Sequence, residues 1–467
     1  MYVFSLCLII ILFGGCATVS MNARIDRVDA KQGYRFANNL VRPHNDPQTL
    51  FLLAFSGGGT RASALSFGVL EALQQTQLDG PRGRRTMLDE VDAISSVSGG
   101  SFTSLAYALY GERVFEEYPK RFLYRNVDKA LFMRVLLNPV NWIRLWAPYY
   151  GRSDLAAAYY DEILFEGATF GDLIEKPTPT VIAEATDIST GARVSFLQNA
   201  FDVICSDLAR VKLSHAVTAS SAVPLLFSPV TLDNFGGTCG YQLPPGLESA
   251  GKPTARAWPG TKLQQHVKDI ERFAKGKDHP YIHLVDGGLA GNLGIDVIIS
   301  MLVEMEANQQ FREAGGLNKL RRVVVIVVDA HTAYDMGWDK HRRVPGEAAQ
   351  LMQSISVPMA RYSYASLNDL QDLLKNWSLQ LKLQKDTRQL HGSMYGTSDI
   401  VPEIEFNVVY VSFDALSDPV ERSYFLNLPT SLALPSEAVD RLRAVGGRLM
   451  RESDQFQKLI HELDQTR

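Results

Sequence analysis

The stretch that decides the fold is Val91–Ser104, VDAISSVSGGSFTS. Apolar Val91, Ala93 and Ile94 lead into Ser95-Ser96-Val97-Ser98-Gly99-Gly100, and Ser101–Leu109 continues with helical spacing. A buried strand, a cramped turn and a helix make the layout of a nucleophile elbow, G-x-S-x-G. The turn holds Ser98 in a tight backbone conformation with its Oγ outward. Strand and helix pass close together there, so the residues two before and two after the serine must be small. Gly100 fits the second position. Ser96 stands at the first, so the motif reads S-x-S-x-G. The following helix aims free N–H groups and the positive end of its dipole at the serine. The plain alternative is a Ser/Gly-rich strand-to-helix turn.

Working outward, Leu50–Ser56 (LFLLAFS) reads as a fully buried strand, with Gly57-Gly58-Gly59-Thr60-Arg61 directly after it and a helix over Ala62–Leu73. Successive glycines let N–H groups converge on an anion, and the helix dipole adds positive potential. The lysine of a phosphate-binding P-loop is missing, so the loop suits an oxyanion hole as well as a phosphate; a flexible turn is the plain reading. On the other side, Thr180–Ala185 is a strand whose hairpin partner begins at Val194. Tyr281–Val285 is a strand entering Asp286-Gly287-Gly288, and Arg322–Asp329 is a strand followed by Ala330-His331. Asp-Gly by itself signals only a turn.

Taken together, Gly57-Gly58-Gly59-Thr60-Arg61, Ser96-Val97-Ser98-Gly99-Gly100 and Asp286-Gly287-Gly288 resemble the patatin-like phospholipase family, whose pattern is G-G-G-x-R, then G-x-S-x-G, then an Asp in D-G-G/A. The runs Ala185-Thr186-Asp187 and Ala219-Ser220-Ser221-Ala222-Val223-Pro224 are also similar to the family's. The resemblance covers roughly residues 48–331. It implies an α/β fold, a three-layer α/β/α sandwich around a mainly parallel sheet, and acyl-ester hydrolysis of lipids or phospholipids. In that reading Ser98 attacks, Asp286 takes its proton, and Gly57, Gly58 and Gly59 hold the oxyanion. Arg61 supports that loop or a substrate phosphate. No metal or other cofactor is implied.

Two alternatives stay open. The order Ser98, Asp286, His331 also fits the triad of an α/β-hydrolase. Ser96 in place of Gly fits a decayed site on a lipid-tethered binding or scaffold protein.

The chain has 467 residues, 46% hydrophobic and 21% charged, with a net charge of −4. That is ordinary globular composition. No basic excess is available to neutralise phosphates, which argues against a nucleic-acid partner. Residues 111–175 are rich in aromatic and apolar groups, with Trp142-Ile143-Arg144-Leu145-Trp146 at their centre. Such a stripe more often becomes core, so a helical cap over the site is expected, with a lipid interface as the alternative.

At the N-terminus, Val3–Phe13 is an apolar run of signal-peptide length, and Gly14-Gly15-Cys16 after it resembles a bacterial lipobox. Residues 1–15 are then a signal peptide and Cys16 takes the lipid. Ala17 points to the outer membrane, facing the periplasm. A plain secretory signal or a buried N-terminal segment are the alternatives. Residues 16–48 read as a tether, 49–335 as the catalytic domain and 336–467 as a mostly helical extension packed on it. Within the extension, Gly446-Gly447 is expected to interrupt a long helix over Ser436–Leu463. Cys205 and Cys239 are expected to be free, with pairing open to them in an oxidising compartment. The sequence points to a membrane surface as partner and names no protein partner.

Overall fold

The computed structural model describes residues 21–38, 46–80, 83–147, 150–244, 262–307, 317–333, 338–340, 344–391 and 403–465, with the single positions 247, 313 and 342. The signal peptide and Cys16 lie outside the described residues.

Eight strands form the central sheet. They are β1 (Thr49–Phe55), β2 (Ala93–Val97), β3 (Thr180–Asp187), β4 (Arg193–Ser195), β5 (Val230–Asp233), β6 (Tyr281–Asp286), β7 (Arg322–Asp329) and β8 (Glu405–Ser412). The spatial order is β8-β7-β1-β2-β3-β6-β5, with β4 folded back on β3. The five strands from β8 to β3 run parallel, and β6, β5 and β4 are antiparallel to their neighbours. Parallel strands need both faces covered, and β1, β2 and β3 are buried along their whole length.

The helices that matter here are α1 (Gly59–Gln75), α2 (Gly99–Tyr110), α3 (Val127–Leu137), α4 (Pro139–Trp146), α5 (Leu213–Ser220), α6 (Asp296–Ala307), α7 (Glu347–His391) and α8 (Ser436–Glu452). Alternate side chains of β1 divide between two apolar cores, as strand geometry demands. Phe51, Leu53 and Phe55 pack with α1, α2 and α8. Leu50, Leu52 and Ala54 pack with α6 and with Leu370 and Trp377 of α7. The result is the expected α/β/α sandwich.

Four details sharpen or correct the sequence reading. First, residues 336–467 extend the sheet as well as cover it, as an extension packed on the domain is able to do: β8 pairs in parallel with β7 from Arg322↔Glu405 to Asp329↔Ser412. Second, Gly446 and Gly447 do not break their helix, which ends only at Ser453. They are small because α8 presses on α1. A Cβ on Gly446 would stand 2.6 Å from the Leu65 carbonyl oxygen, and one on Gly68 would stand 2.1 Å from that of Arg443. Third, within the segment read as a tether, residues 21–38 are packed on the body. Ala23–Arg24 pairs with Ser206–Asp207, Tyr34 is buried and its hydroxyl accepts from the Val181 N–H, and Arg35 is paired with Asp202 in the interior. Fourth, Cys205 and Cys239 form a disulfide.

The stripe expected to become a cap is largely exposed. Trp146 is 91% and Ile143 74% exposed, and Trp142 and Phe132 are more than half exposed.

Gly68→Ala tests the α1–α8 approach. An alanine in a free helix would stabilise by about 1 kcal/mol over glycine. Here overpacking should reverse the sign and cost about 1–3 kcal/mol. Thermal unfolding should show a lowered midpoint, while Gly346→Ala, where an added Cβ meets nothing within 4 Å, leaves it in place.

Candidate active site

Ser98 sits where β2 ends and α2 begins, with φ 49° and ψ −118°. Non-glycine residues rarely hold a positive φ, and a tight strand-to-helix turn is one place they do. Hydrogen bonds hold it there. The Ser98 N–H donates to Ser220 Oγ at 2.9 Å, and Ser220 donates onward to the Glu184 carbonyl at 2.6 Å. Ser101 Oγ stands 2.9 Å from the same Ser220 hydroxyl.

The glycines of the elbow are required by crowding. A Cβ on Gly99 would come within 2.2 Å of the Gly59 carbonyl oxygen, and one on Gly100 within 2.8 Å of Phe55. Ser96, the departure from the motif, is accommodated: its hydroxyl points to Ser104 Oγ on α2 at 2.7 Å and lies 3.4 Å from the Ile182 carbonyl. The opposing helix residue is small, so Ser96 costs the elbow no room.

Asp286 ends β6 on the far side of β3. Its N–H donates to the Ala222 carbonyl, the Gly287 N–H to that of Ser220, and the Thr186 hydroxyl to the Asp286 carbonyl. A Cβ on Gly287 would stand 2.2 Å from the Glu184 carbonyl oxygen, so only glycine lets this loop reach the elbow. The Asp286 carboxylate accepts from the Gly288 N–H at 2.8 Å, and the Ser98 side chain lies near enough to pull its pKa down. Both side chains are nearly closed to solvent, Ser98 at 7% and Asp286 at 4% exposure. Burial disfavours the charged carboxylate and pushes the Asp286 pKa up to about 6, against the pull of the Gly288 N–H and the Ser98 side chain.

The triple glycine contributes differently from expectation. Gly57 is spent: its N–H donates to the Asn292 carbonyl at 2.9 Å. Its smallness serves proximity, since a Cβ there would meet Asn292 Oδ1 at 2.3 Å and Ser98 Cβ at 3.2 Å. Gly58 and Gly59 hold φ 144° and 59°, open to glycine at little cost. Among the described residues, no chain group accepts from the N–H groups of Gly58, Gly59 or Gly99. Gly59 and Gly99 open helices, whose first N–H groups have no partner within the helix. Three N–H groups therefore remain without a chain acceptor among the described residues, and the third belongs to Gly99, the residue after the serine.

Arg61 is buried and occupied. Its Nε donates to the Ala330 carbonyl, Nη1 to that of Leu428 and Nη2 to Thr430 Oγ1. It ties the glycine loop to the end of β7 and to the C-terminal region, leaving the loop-support half of the expectation. His331 is turned to other partners. Its Nδ1 lies 3.1 Å from Asp329 and its Nε2 3.3 Å from Asp414. Burial lowers its pKa, but the two carboxylates outweigh that and the net shift is upward.

Sequence reasoning missed three residues that the structure brings to the site: Ser220, Asn292 and Gly99. Gly99 was within reach, because the N–H following an elbow serine is a usual oxyanion donor. Ser220 lies in the Ala219–Pro224 run, but nothing in that run says its hydroxyl ends under Ser98. Glu184, buried one layer below, accepts from Ser95 Oγ at 2.7 Å and faces Arg193 at 3.4 Å.

Comparison with known proteins gives the family. The family model described as patatin-like phospholipase matches residues 53–299, more than half of the chain. The chain belongs to the patatin-like phospholipase family, a family of lipid acyl hydrolases. No curated protein sequence matches it. Among solved structures it is similar to human GIVD cytosolic phospholipase A2, at 13% identity and a TM-score of 0.45 over 96% of this chain. The same human protein in complex with methyl gamma-linolenyl fluorophosphonate gives 12% and 0.40, also over 96% of this chain. This chain spans 66% of the human protein in both structures. VipD from Legionella pneumophila gives 11% and 0.28, covering 89% of this chain and 67% of that one.

The raised Asp286 pKa has a sign that stability can check. The folded value lies above the unfolded one, so the fold favours the neutral carboxyl. That stabilisation is complete below about pH 4 and is lost as pH rises through about 6. Asp286→Asn should therefore unfold later than wild type at pH 7, by roughly 2–3 kcal/mol for a two-unit shift. The gain should vanish by about pH 4, where wild-type Asp286 is itself neutral. Calorimetry at both pH values measures it, and a gain independent of pH would contradict the shift.

Proposed function

We propose that this protein hydrolyses acyl esters of lipids through a Ser98–Asp286 dyad and a covalent acyl-enzyme. The observation that carries the reading is the placement of the elbow serine, Ser98, beside the buried Asp286 carboxyl, whose pKa burial raises to about 6. A general base works best when its pKa lies near the working pH. Ser98 Oγ attacks the ester carbonyl carbon as its proton passes to Asp286. The tetrahedral oxyanion lies against the free N–H groups of Gly58, Gly59 and Gly99. Collapse breaks the bond to the alcohol, which leaves with the proton from Asp286. Water then attacks the acyl-enzyme, Asp286 takes a proton from it, and that proton returns to Ser98 as the fatty acid departs.

The orientation of His331 toward Asp329 and Asp414 favours the dyad over a triad. Three variants test it on a chromogenic acyl ester. Ser98→Ala and Asp286→Asn should fall to background. His331→Ala should stay within about tenfold of wild type, the size of an indirect effect. Loss in His331→Ala equal to that in Ser98→Ala would replace the dyad with a triad. The wild-type kcat/KM should fall on acidification through about pH 6, as Asp286 becomes protonated.

We also propose that the protein is an envelope lipoprotein lipidated at Cys16, in the outer membrane and facing the periplasm. Val3–Phe13 and Gly14-Gly15-Cys16 support this, and the Cys205–Cys239 disulfide suits an oxidising compartment. Expressed in a Gram-negative host, the chain should take up labelled fatty acid and sediment with membranes. Cys16→Ala should lose the label, and unchanged labelling in that variant would refute the assignment.

A further inference from the structure

The α3–α4 hairpin carries an apolar surface that the rest of the described chain does not cover. Phe132, Leu136, Leu137, Trp142, Ile143 and Trp146 are all at least half exposed. Isolated exposed apolar residues are ordinary, but six within fifteen residues on two adjoining helices form a patch.

Charge surrounds it. From Lys120 to Arg152 the chain has seven Lys and Arg against one Asp, net +6 in a protein of net −4. Two of these, Arg121 and Arg134, are paired with Glu117, Glu166 and Glu162. Lys120, Arg125, Lys129, Arg144 and Arg152 are exposed. Exposed tryptophan and aliphatic groups interspersed with exposed basic residues match the interface of a membrane with anionic headgroups. A partner protein surface would need its own apolar patch and acidic rim; an anionic bilayer presents both layers everywhere.

Both feet of the hairpin are pinned to segments that hold the site. At the start, the Val127 N–H donates to the Leu432 carbonyl and the Leu432 N–H to Asp128 Oδ2 at 3.0 Å. The adjacent Ser431 carbonyl accepts from the Thr60 N–H and crowds Gly59. At the end, Ser153 bonds the backbone and hydroxyl of Ser228. Ser228 closes the loop that starts at Ser220, the residue under Ser98. That loop carries two more exposed apolar residues, Leu225 and Leu226, at 51% and 56% exposure. Leu225 holds φ 74°, a strained conformation for a bulky side chain.

We propose that the α3–α4 hairpin, with Leu225 and Leu226, is the surface on which this protein adsorbs to an anionic phospholipid bilayer, setting the entrance to Ser98 against the lipid. The proposal rests on the lipid-hydrolase reading for its purpose, but binding is measurable without turnover. The full chain carrying Cys16→Ala and Ser98→Ala, so that neither an attached acyl chain nor hydrolysis intervenes, is sedimented with vesicles of equimolar phosphatidylcholine and phosphatidylglycerol. Adding Ile143→Ser and Trp146→Ser should weaken binding about tenfold or more, from the apolar area withdrawn. Adding Lys129→Glu and Arg144→Glu should weaken it on these vesicles and leave little difference on phosphatidylcholine alone. Both sets lie at exposed positions, and an unchanged melting temperature checks that each folds.

Equal binding by all forms overturns the proposal. So does a dimer of the parent chain that the Ile143/Trp146 variant turns into a monomer without loss of vesicle binding, since the patch is then covered by a second copy. A reactive-serine probe on the chain with Ser98 intact separates the two readings. Labelling of Ser98 with binding unaffected by the variants rejects the docking surface alone. Binding lost in the variants with Ser98 unlabelled rejects the hydrolase reading and leaves the surface standing.

Discussion

Asp286 is a carboxyl group taken out of water, with the Gly288 N–H donating to it and the Ser98 side chain close beside it. That arrangement exists because three chain segments crowd together at the ends of β2, β3 and β6. Ser220 is their common fastening. Its hydroxyl accepts from the Ser98 N–H, donates to the Glu184 carbonyl on β3 and lies beside Ser101, while its carbonyl accepts from Gly287 next to Asp286. One small polar side chain thus fixes the strained elbow relative to the carboxylate. Strain of the kind stored at Ser98 persists only where surrounding contacts over-determine the backbone, and here they do.

Small residues elsewhere follow from the same demand for closeness. Gly99 faces Gly59, Gly100 faces Phe55, and Gly287 faces Glu184; a methyl group at any of them would overlap backbone or a neighbouring side chain. One layer out, Gly68 and Gly446 bring α1 and α8 together at the distance α1 needs to start beneath the glycine loop. The C-terminal quarter is therefore part of the site's frame. Leu428 and Thr430 occupy Arg61, and Ser431 takes the Thr60 N–H. Arg61, held by three acceptors, acts as a rivet between segments more than 350 residues apart in sequence.

The molecule's surface is as uneven as its interior is regular. An overall charge of −4 hides a stretch of +6, and the apolar residues within that stretch face outward. The helical hairpin is tied to the body through Val127, Asp128 and Arg134, yet it presents outward side chains that a cap would bury. The segment's amphipathic composition is compatible with either fate.

The sandwich and its catalytic loops were legible in the sequence because their signals are local. Largely apolar runs at Leu50–Ser56, Thr180–Ala185 and Arg322–Asp329 are strands buried on two faces, and glycine after such a strand marks a place where backbone must pass close. Ser98, Asp286 and the triple glycine are visible for that reason. Interactions between distant segments are not written in spacing. Which N–H of the glycine loop stays free depends on where the Asn292 carbonyl falls, 235 residues away from Gly57. Whether Arg61 faces a substrate or a carbonyl, whether His331 turns to Asp286 or to Asp329 and Asp414, and whether Gly446-Gly447 ends a helix or seats it against another were likewise decided by tertiary packing. Composition specifies which residues are able to bend, approach or ionise; the hydrogen bonds and the burial that decide what they do belong to the assembled fold.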